Sequence, residues 1–204
     1  MSLYDLKPRF QALLRPYADR LAAIGLSPNA VTLMALALSA LAGLLVALFP
    51  EARAPLVLLS LVLLVRMALN AIDGMIAREH GQESPGGRLL NEVADVASDM
   101  LLVLPLVLVP DFSPFLVILI VILAVLTEVA GLAAVSIGAS RRHDGPMGKS
   151  DRALLIGALA TATFLVPSLY RAWPAVLWAA AALTLATSVR RCRGALQELA
   201  VGTR

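Results

Sequence analysis

Cysteine is almost missing from this chain. Cys192 stands alone, so no disulfide can form within the chain, and nothing in its cysteine usage argues for an oxidising compartment. Charge is sparse too: 15% of the 204 residues are Asp, Glu, Lys or Arg, against 59% hydrophobic. Mean hydropathy is +0.83. A soluble domain of this length has too little interior to hide that much apolar surface, whereas lipid as solvent removes the difficulty. The opening MSLYDLKPRF carries charge and no apolar core, unlike a cleavable signal peptide, so the first hydrophobic span is expected to act as the insertion signal. Internal repeats and low-complexity tracts are absent. The net charge is only +3, and no nucleic-acid partner is expected.

What is present is a series of six apolar stretches, near 30–49, 55–78, 87–109, 114–140, 151–169 and 174–190. Each is long enough to cross a hydrocarbon core of about 30 Å at about 1.5 Å per residue. Short links such as Pro50 to Ala54 force neighbouring helices to run antiparallel. The expected fold is therefore all-α: a polytopic membrane protein with six transmembrane helices and an N-terminal interfacial amphipathic helix. Residues 1–26 form the juxtamembrane helix, 27–193 the transmembrane catalytic domain and 194–204 a C-terminal tail. One threading collects nearly all Lys and Arg on one side, from Lys7 and Arg15 to Arg190 and Arg204, and leaves Arg53 and Arg171 on the other. Basic residues gather on the cytoplasmic side, which places both termini there.

Ahead of the first span, Leu3, Leu6, Phe10, Leu13, Tyr17, Leu21 and Ile24 recur at three- and four-residue steps between basic residues. The pattern suits a helix lying in the membrane interface; the plainer alternative is one packed on the protein's own cytoplasmic surface. Pro8 and Pro16 should kink or split it. Ser27 followed by Pro28 reads as an N-cap with proline at the first helical position.

Polar residues inside the spans are costly and mark function. Arg66, Asn70, Asp73 and Ala77 share one face of the second span, and Asn91, Asp95 and Asp99 one face of the third. Two antiparallel helices thus present polar stripes around an expected wet cavity, a design for hard cations that take oxygen ligands. Arg66, Asp99 and Glu128 lie about 18 Å from the cytoplasmic helix ends at about 1.5 Å per residue. An unpaired charge there is costly, so Arg66 is expected to pair with Asp99, Glu128 or both.

The stretch Asn70-Ala-Ile-Asp73-Gly74-Met-Ile-Ala77-Arg78, followed at fixed intervals by Gly87, Asn91 and Asp95, resembles the signature D-x2-D-G-x2-A-R-x8-G-x3-D-x3-D of the CDP-alcohol phosphotransferase family. Every spacing fits, and Asn70 and Asn91 stand where the signature has its first and third aspartates. The resemblance implies a bacterial inner-membrane enzyme, homodimeric, that moves a phosphatidyl group from CDP-diacylglycerol to a small alcohol. It implies a divalent metal, Mg2+ or Mn2+, held by Asp73 and Asp95 with Asn70 and Asn91, and Asp95 as general base. Gly74, Ala77, Arg78 and Gly87 become diphosphate and nucleotide contacts, and Asn29 and Thr32 lie near the nucleotide. Lys149, Arg152 and Arg141 become candidates for the phosphate of an anionic acceptor, with glycerol 3-phosphate the first choice. Asn keeps an oxygen ligand but brings no charge, so affinity for a second ion should fall. The site then holds one metal, borrows charge from Glu92 or Asp99, or is inactive. Against the residues alone, a scaffold that binds a CDP-lipid without turnover and a small transporter with Arg66, Asp95, Asp99 and Glu128 as relay remain open. Bland readings also stand: small residues for helix packing at Gly74 and Ala77, a snorkelling arginine at 78, and a positive-inside loop at 141–149.

Overall fold

The structure is a computed structural model. It describes the backbone of residues 3–110 and 112–202, and side chains between residues 8 and 200. The side chains of Leu3, Leu6 and Lys7, and the whole of Arg204, lie outside the described residues. Seven α-helices follow in order: α1 (Leu3–Ala23), α2 (Pro28–Leu48), α3 (Ala54–Glu79), α4 (Pro85–Val103), α5 (Pro114–Ser136), α6 (Lys149–Leu165) and α7 (Trp173–Gly202). There is no strand among the described residues. Four stretches are long and apolar enough to cross a membrane: α2, α3, α5 and Pro167–Ala200. By length and composition, four of the expected six spans qualify. α4 falls out because its polar stripe lowers its hydropathy, and α6 because it has only 17 residues.

Local chemistry sets the helix boundaries. Ser27 caps α2 by accepting from the Ala30 N–H at 3.2 Å, and Ser84 caps α4 by accepting from the Gly87 N–H at 3.0 Å. Both caps precede a proline at the first helical position, where its missing N–H costs nothing. The third apolar stretch does not run as one α-helix. Pro105 has no N–H to offer the Leu101 carbonyl, and the chain tightens into a 3₁₀ turn over Leu104–Leu108. That carbonyl points straight at Gly43 on α2, where any Cβ would collide with it. Gly138, at φ +88°, stops α5 before residue 140, and Pro167 opens a second 3₁₀ turn after α6. α7 runs on to Gly202, so most of the expected tail is helical.

α2 packs on α3 and α4, α3 on α6, and α5 on α7. The main apolar cluster includes Leu59, Leu102, Leu106, Val117 and Ile156. At its end Trp173 packs tilted against Phe112, ring centroids 4.1 Å apart, and donates its indole N–H to Thr163 Oγ1 at 2.9 Å. Outward faces remain apolar and exposed, as at Leu41, Leu61, Phe115 and Ile122, which is the pattern of a protein whose solvent is lipid. Buried hydroxyls turn back on their own helices: Ser39 donates to the Ala35 carbonyl and Thr127 to that of Leu123, both at 2.7 Å.

α1 is a single uninterrupted helix with Pro8 and Pro16 inside it. The expected split does not occur. Each proline removes one main-chain bond, and tertiary contacts hold the rest. Ala18 is buried with Leu14 and Leu21 against Ile72, Met75 and Ile76. Arg15 donates twice to Glu79, both bonds 3.0 Å, and His80 Nε2 lies 3.0 Å from Asp19 Oδ1. The docked face is matched by an exposed apolar edge at Leu13, Tyr17 and Ile24.

Candidate active site

The helix pair α3 and α4 runs antiparallel with its polar stripes facing, and three successive turns meet as rungs. Arg66 Nη2 lies 2.5 Å from Asp99 Oδ1. One turn on, Asn70 Nδ2 donates to Asp95 Oδ1 at 2.8 Å. The next turn reverses the polarity: Asn91 Nδ2 donates to Asp73 Oδ2 at 3.0 Å. Each rung therefore joins one donor to one carboxylate. Had positions 70 and 91 carried aspartate, two of the three rungs would set acid against acid, which needs a cation to hold it.

Flanking helices complete both carboxylates. Thr32 on α2 donates to Asp73 Oδ2 at 2.8 Å, and Asp73 is buried. Lys149, the first residue of α6, forms an ion pair with Asp95 Oδ1, and Arg66 Nη2 also donates to the Asp95 carbonyl at 3.1 Å. α6 can place its lysine there because its start is fixed: Asp151 Oδ2 accepts from the Gly148 N–H at 2.9 Å, and the Met147 N–H donates to Thr187 Oγ1 at 2.9 Å. Asn29 lies against Gly87 and Ser84 at the mouth. A Cβ on Gly87 would come within 2.8 Å of Asn29 Oδ1, so glycine there lets α2 approach the start of α4. Arg78 is exposed; its guanidinium makes no hydrogen bond or ion pair with the described residues and folds back over Gly74. Ala77 is half-buried beside them.

The remaining basic candidates are engaged. Arg152, buried, reaches Asp99 at 3.3 Å and Glu128 at 3.5 Å. Arg141 pairs with Glu92 and lies 3.6 Å from Glu128. Glu128 has a third arginine, Arg191 on α7, at 3.5 Å. Arg191 also donates to the carbonyls of Thr127 (2.6 Å) and Asp144 (3.3 Å). Nothing in the sequence separates Arg191 from Arg190 and Arg193, all of which read as positive-inside charge; only its place on the α5-facing side of α7 makes it a buried partner. Arg142, in the loop before α6, is a clamp: its guanidinium donates to Asp144 at 2.8 Å and to Glu198 at 3.1 Å. Burial pushes the Asp144 carboxyl up, and the bond from Arg142, a backbone hydrogen bond and the positive charges of Arg142 and Arg191 together outweigh this and hold it below the ordinary carboxylate value.

The chemistry of the donor set suits one divalent cation. Among the described residues no three His, Cys, Asp or Glu converge. Two carboxylates and two amide oxygens on facing turns offer hard oxygen ligands for one ion once the amides turn their oxygens inward. They do not supply the charge for two. Beside the ladder, α4, α5 and α6 line a narrow groove of about 30 Å³, walled by Val96, Met100, Val121 and Val125 and floored by Asp99, Lys149 and Arg152.

Comparison with known proteins agrees with this architecture. The Escherichia coli (strain K12) inner membrane protein YnbA is 45% identical over 199 residues, spanning 96% of this chain and 97% of that protein. Two crystal structures of the Mycobacterium tuberculosis phosphatidylinositol phosphate synthase PgsA1 share the fold. One has CDP-DAG bound (TM-score 0.74, 20% identity, 90% of this chain and 94% of that one). The other is in complex with manganese and citrate (TM-score 0.74, 20% identity, 90% and 88%). The model of the CDP-alcohol phosphatidyltransferases matches residues 25–187, across α2 to α7. With its signature spacing carried on two facing helices, the chain belongs to the CDP-alcohol phosphatidyltransferase family, a family of phosphotransferases.

Proposed function

We propose that the protein makes phospholipid by moving a phosphatidyl group from CDP-diacylglycerol to the hydroxyl of a small alcohol, with release of CMP. The observation that carries this reading is the α3–α4 ladder, which sets Asp73 and Asp95 on adjacent rungs below Arg78 and adjoins a narrow apolar groove. In this reading all six long helices α2 to α7 span the bacterial inner membrane with both termini cytoplasmic. α1 lies in the interface, its Leu13–Tyr17–Ile24 edge toward lipid. A homodimer belongs to the reading by family resemblance.

A divalent cation, Mg2+ or Mn2+, would be held by Asp73 and Asp95 with the amide oxygens of Asn70 and Asn91, and when bound it neutralises diphosphate charge. The other roles fall to the chain's own side chains. Arg78, poised over Gly74, holds the diphosphate, with Ala77 and Gly87 leaving room for it and Asn29 beside the nucleotide. Thr32 and Asn91 fix Asp73; Asn70 and Lys149 fix Asp95. Asp95 accepts the proton of the acceptor hydroxyl. The acceptor oxygen bonds to the lipid-side phosphorus, and the bond from that phosphorus to the bridging oxygen breaks. The electron pair leaves with CMP. Arg66, Asp99 and Glu128 hold the helices in register beneath this chemistry.

Glycerol 3-phosphate is the acceptor that the basic residues Lys149, Arg152 and Arg141 favour when read along the sequence. The ion pairs in which all three are engaged weigh against a phosphorylated acceptor. The two Asn–Asp rungs give a second reading some support, a scaffold that binds CDP-lipid without turnover. Purified protein incubated with labelled CDP-diacylglycerol, Mg2+ and candidate alcohols tests both. CMP release that requires an alcohol supports the enzyme; saturable CDP-lipid binding with no CMP released under any acceptor would leave the scaffold.

A further inference from the structure

We infer that the acceptor is an alcohol of zero net charge carrying no phosphate, and that Glu128 sets this preference. The inference rests on the phosphatidyl-transfer reading. Its starting point is where the cations end. Glu128, only 9% exposed, is the common partner of Arg141, Arg152 and Arg191 at 3.5–3.6 Å. Arg152 and Arg191 are 5% and 2% exposed, so neither is shielded by water. A carboxylate fixed among three arginines occupies the position that the phosphate of an anionic substrate would otherwise take.

The other cations near the groove are matched in the same way. Lys149 faces Asp95, Arg66 faces Asp99, and Arg141 shares itself between Glu92 and Glu128. With Asp73, five carboxylates stand against five basic side chains in one connected cluster, and the charges cancel. A phosphomonoester would bring about −1.5 to −2 into it, and since the divalent cation and Arg78 of the proposed reading are matched by the diphosphate of the CDP-lipid, no surplus cation is left to meet them. To bind it, the arginines must leave Glu128 and strand a buried carboxylate, which is strongly unfavourable. Arg142 offers no reserve, being tied to Asp144 and Glu198. What the cluster leaves open is neutral-strength hydrogen bonding. The buried Nε atoms of Arg66 and Arg141 lack an acceptor among the described residues, and the hydroxyl oxygen of an alcohol can supply one to Arg141 at the rim.

The test compares acceptors in matched pairs. Purified protein with CDP-diacylglycerol and Mg2+ is given glycerol against glycerol 3-phosphate, inositol against inositol phosphate, and serine against phosphoserine, and CMP release is followed. The unphosphorylated member of a pair should have the higher kcat/KM by at least about tenfold, the cost of one unmatched buried charge. Glu128→Gln removes the one charge that three arginines share and leaves the cluster one positive charge in surplus, so it should cut that ratio by about tenfold, through a lower KM for the phosphorylated acceptor. If the variant does not fold, inorganic phosphate on the unaltered protein decides. It should fail to compete with the acceptor, and competition at concentrations near the acceptor KM overturns the inference. A phosphorylated acceptor preferred by the unaltered chain also overturns it and leaves the transferase reading standing. An unchanged ratio in a folded Glu128→Gln protein overturns the role of Glu128. CMP released with no acceptor at all overturns both the inference and the reading beneath it.

Discussion

The two ends of the α3–α4 pair are built on opposite physics. At one end Asn70, Asp73, Asn91 and Asp95 exchange hydrogen bonds across the helices, with arginines and carboxylates below them. At the other, Leu59, Leu102 and Leu106 pack with Val117 and, beyond them, Phe112 and Trp173. The apolar end gains stability from shape and contact alone. The polar end gains little, because desolvating charges offsets most of what their pairing returns. Its ordered ladder fixes where the amide and acid side chains stand, which in the proposed reading is its use.

The difference can be broken most sharply at Asp95. Asp95→Asn should reduce CMP release by at least about a thousandfold, since it removes both a proposed metal ligand and the proposed proton acceptor, while circular dichroism and thermal unfolding stay close to those of the unaltered protein. Undiminished turnover would end the assignment. At the apolar end the reverse is expected. Trp173→Ala should cost about 3–5 kcal/mol of stability by leaving a cavity and by stranding the Thr163 hydroxyl's partner site, yet the fraction that stays folded should keep its KM for CDP-lipid. An altered KM would show that the two ends are coupled.

A subtler probe restores acid at both departures from the signature. Asn70→Asp with Asn91→Asp turns two amide–acid rungs into acid–acid rungs. The double variant should unfold at lower temperature without divalent cation, and regain more than the unaltered chain when Mn2+ is added. Electron paramagnetic resonance of Mn2+ should count more than one ion per chain in the variant and no more than one in the original. Equal stoichiometry would refute the view that the asparagines stand in for cation bridging. The smallest effect belongs to the loop clamp. The Asp144 carboxyl is held low in the folded protein, so its contribution is complete above its ordinary value of 3.8 and fades as pH falls through the depressed one. Asp144→Asn should therefore lower the unfolding temperature slightly at neutral pH, with the gap to the unaltered protein closing in acid.

The amino-acid order carried a great deal of this. Apolar runs bounded by proline and serine are local signals, and they located α2, α3 and α5 within a few residues. The spacing from Asn70 to Asp95 placed the ladder, because helical periodicity alone puts residues four apart on one face. Where the reading strayed, a non-local or main-chain effect intervened: Pro105 converted the end of the third stretch to a 3₁₀ turn, and Pro8 and Pro16 stayed inside α1 because docking on α3 holds that helix whole. Arg152 reads along the chain as a free phosphate ligand, and the fold buries it.

By itself, then, the sequence determined that the chain is helical, that it belongs in lipid, and which two helices bear the signature, since each follows from the order and polarity of near neighbours. Only the tertiary structure decided which acid each cation meets. Arg191 rather than Arg190 reaches Glu128, and Lys149 reaches Asp95, because ion pairing is settled by which helix faces are pressed together. That is a property of packing between segments far apart in the chain.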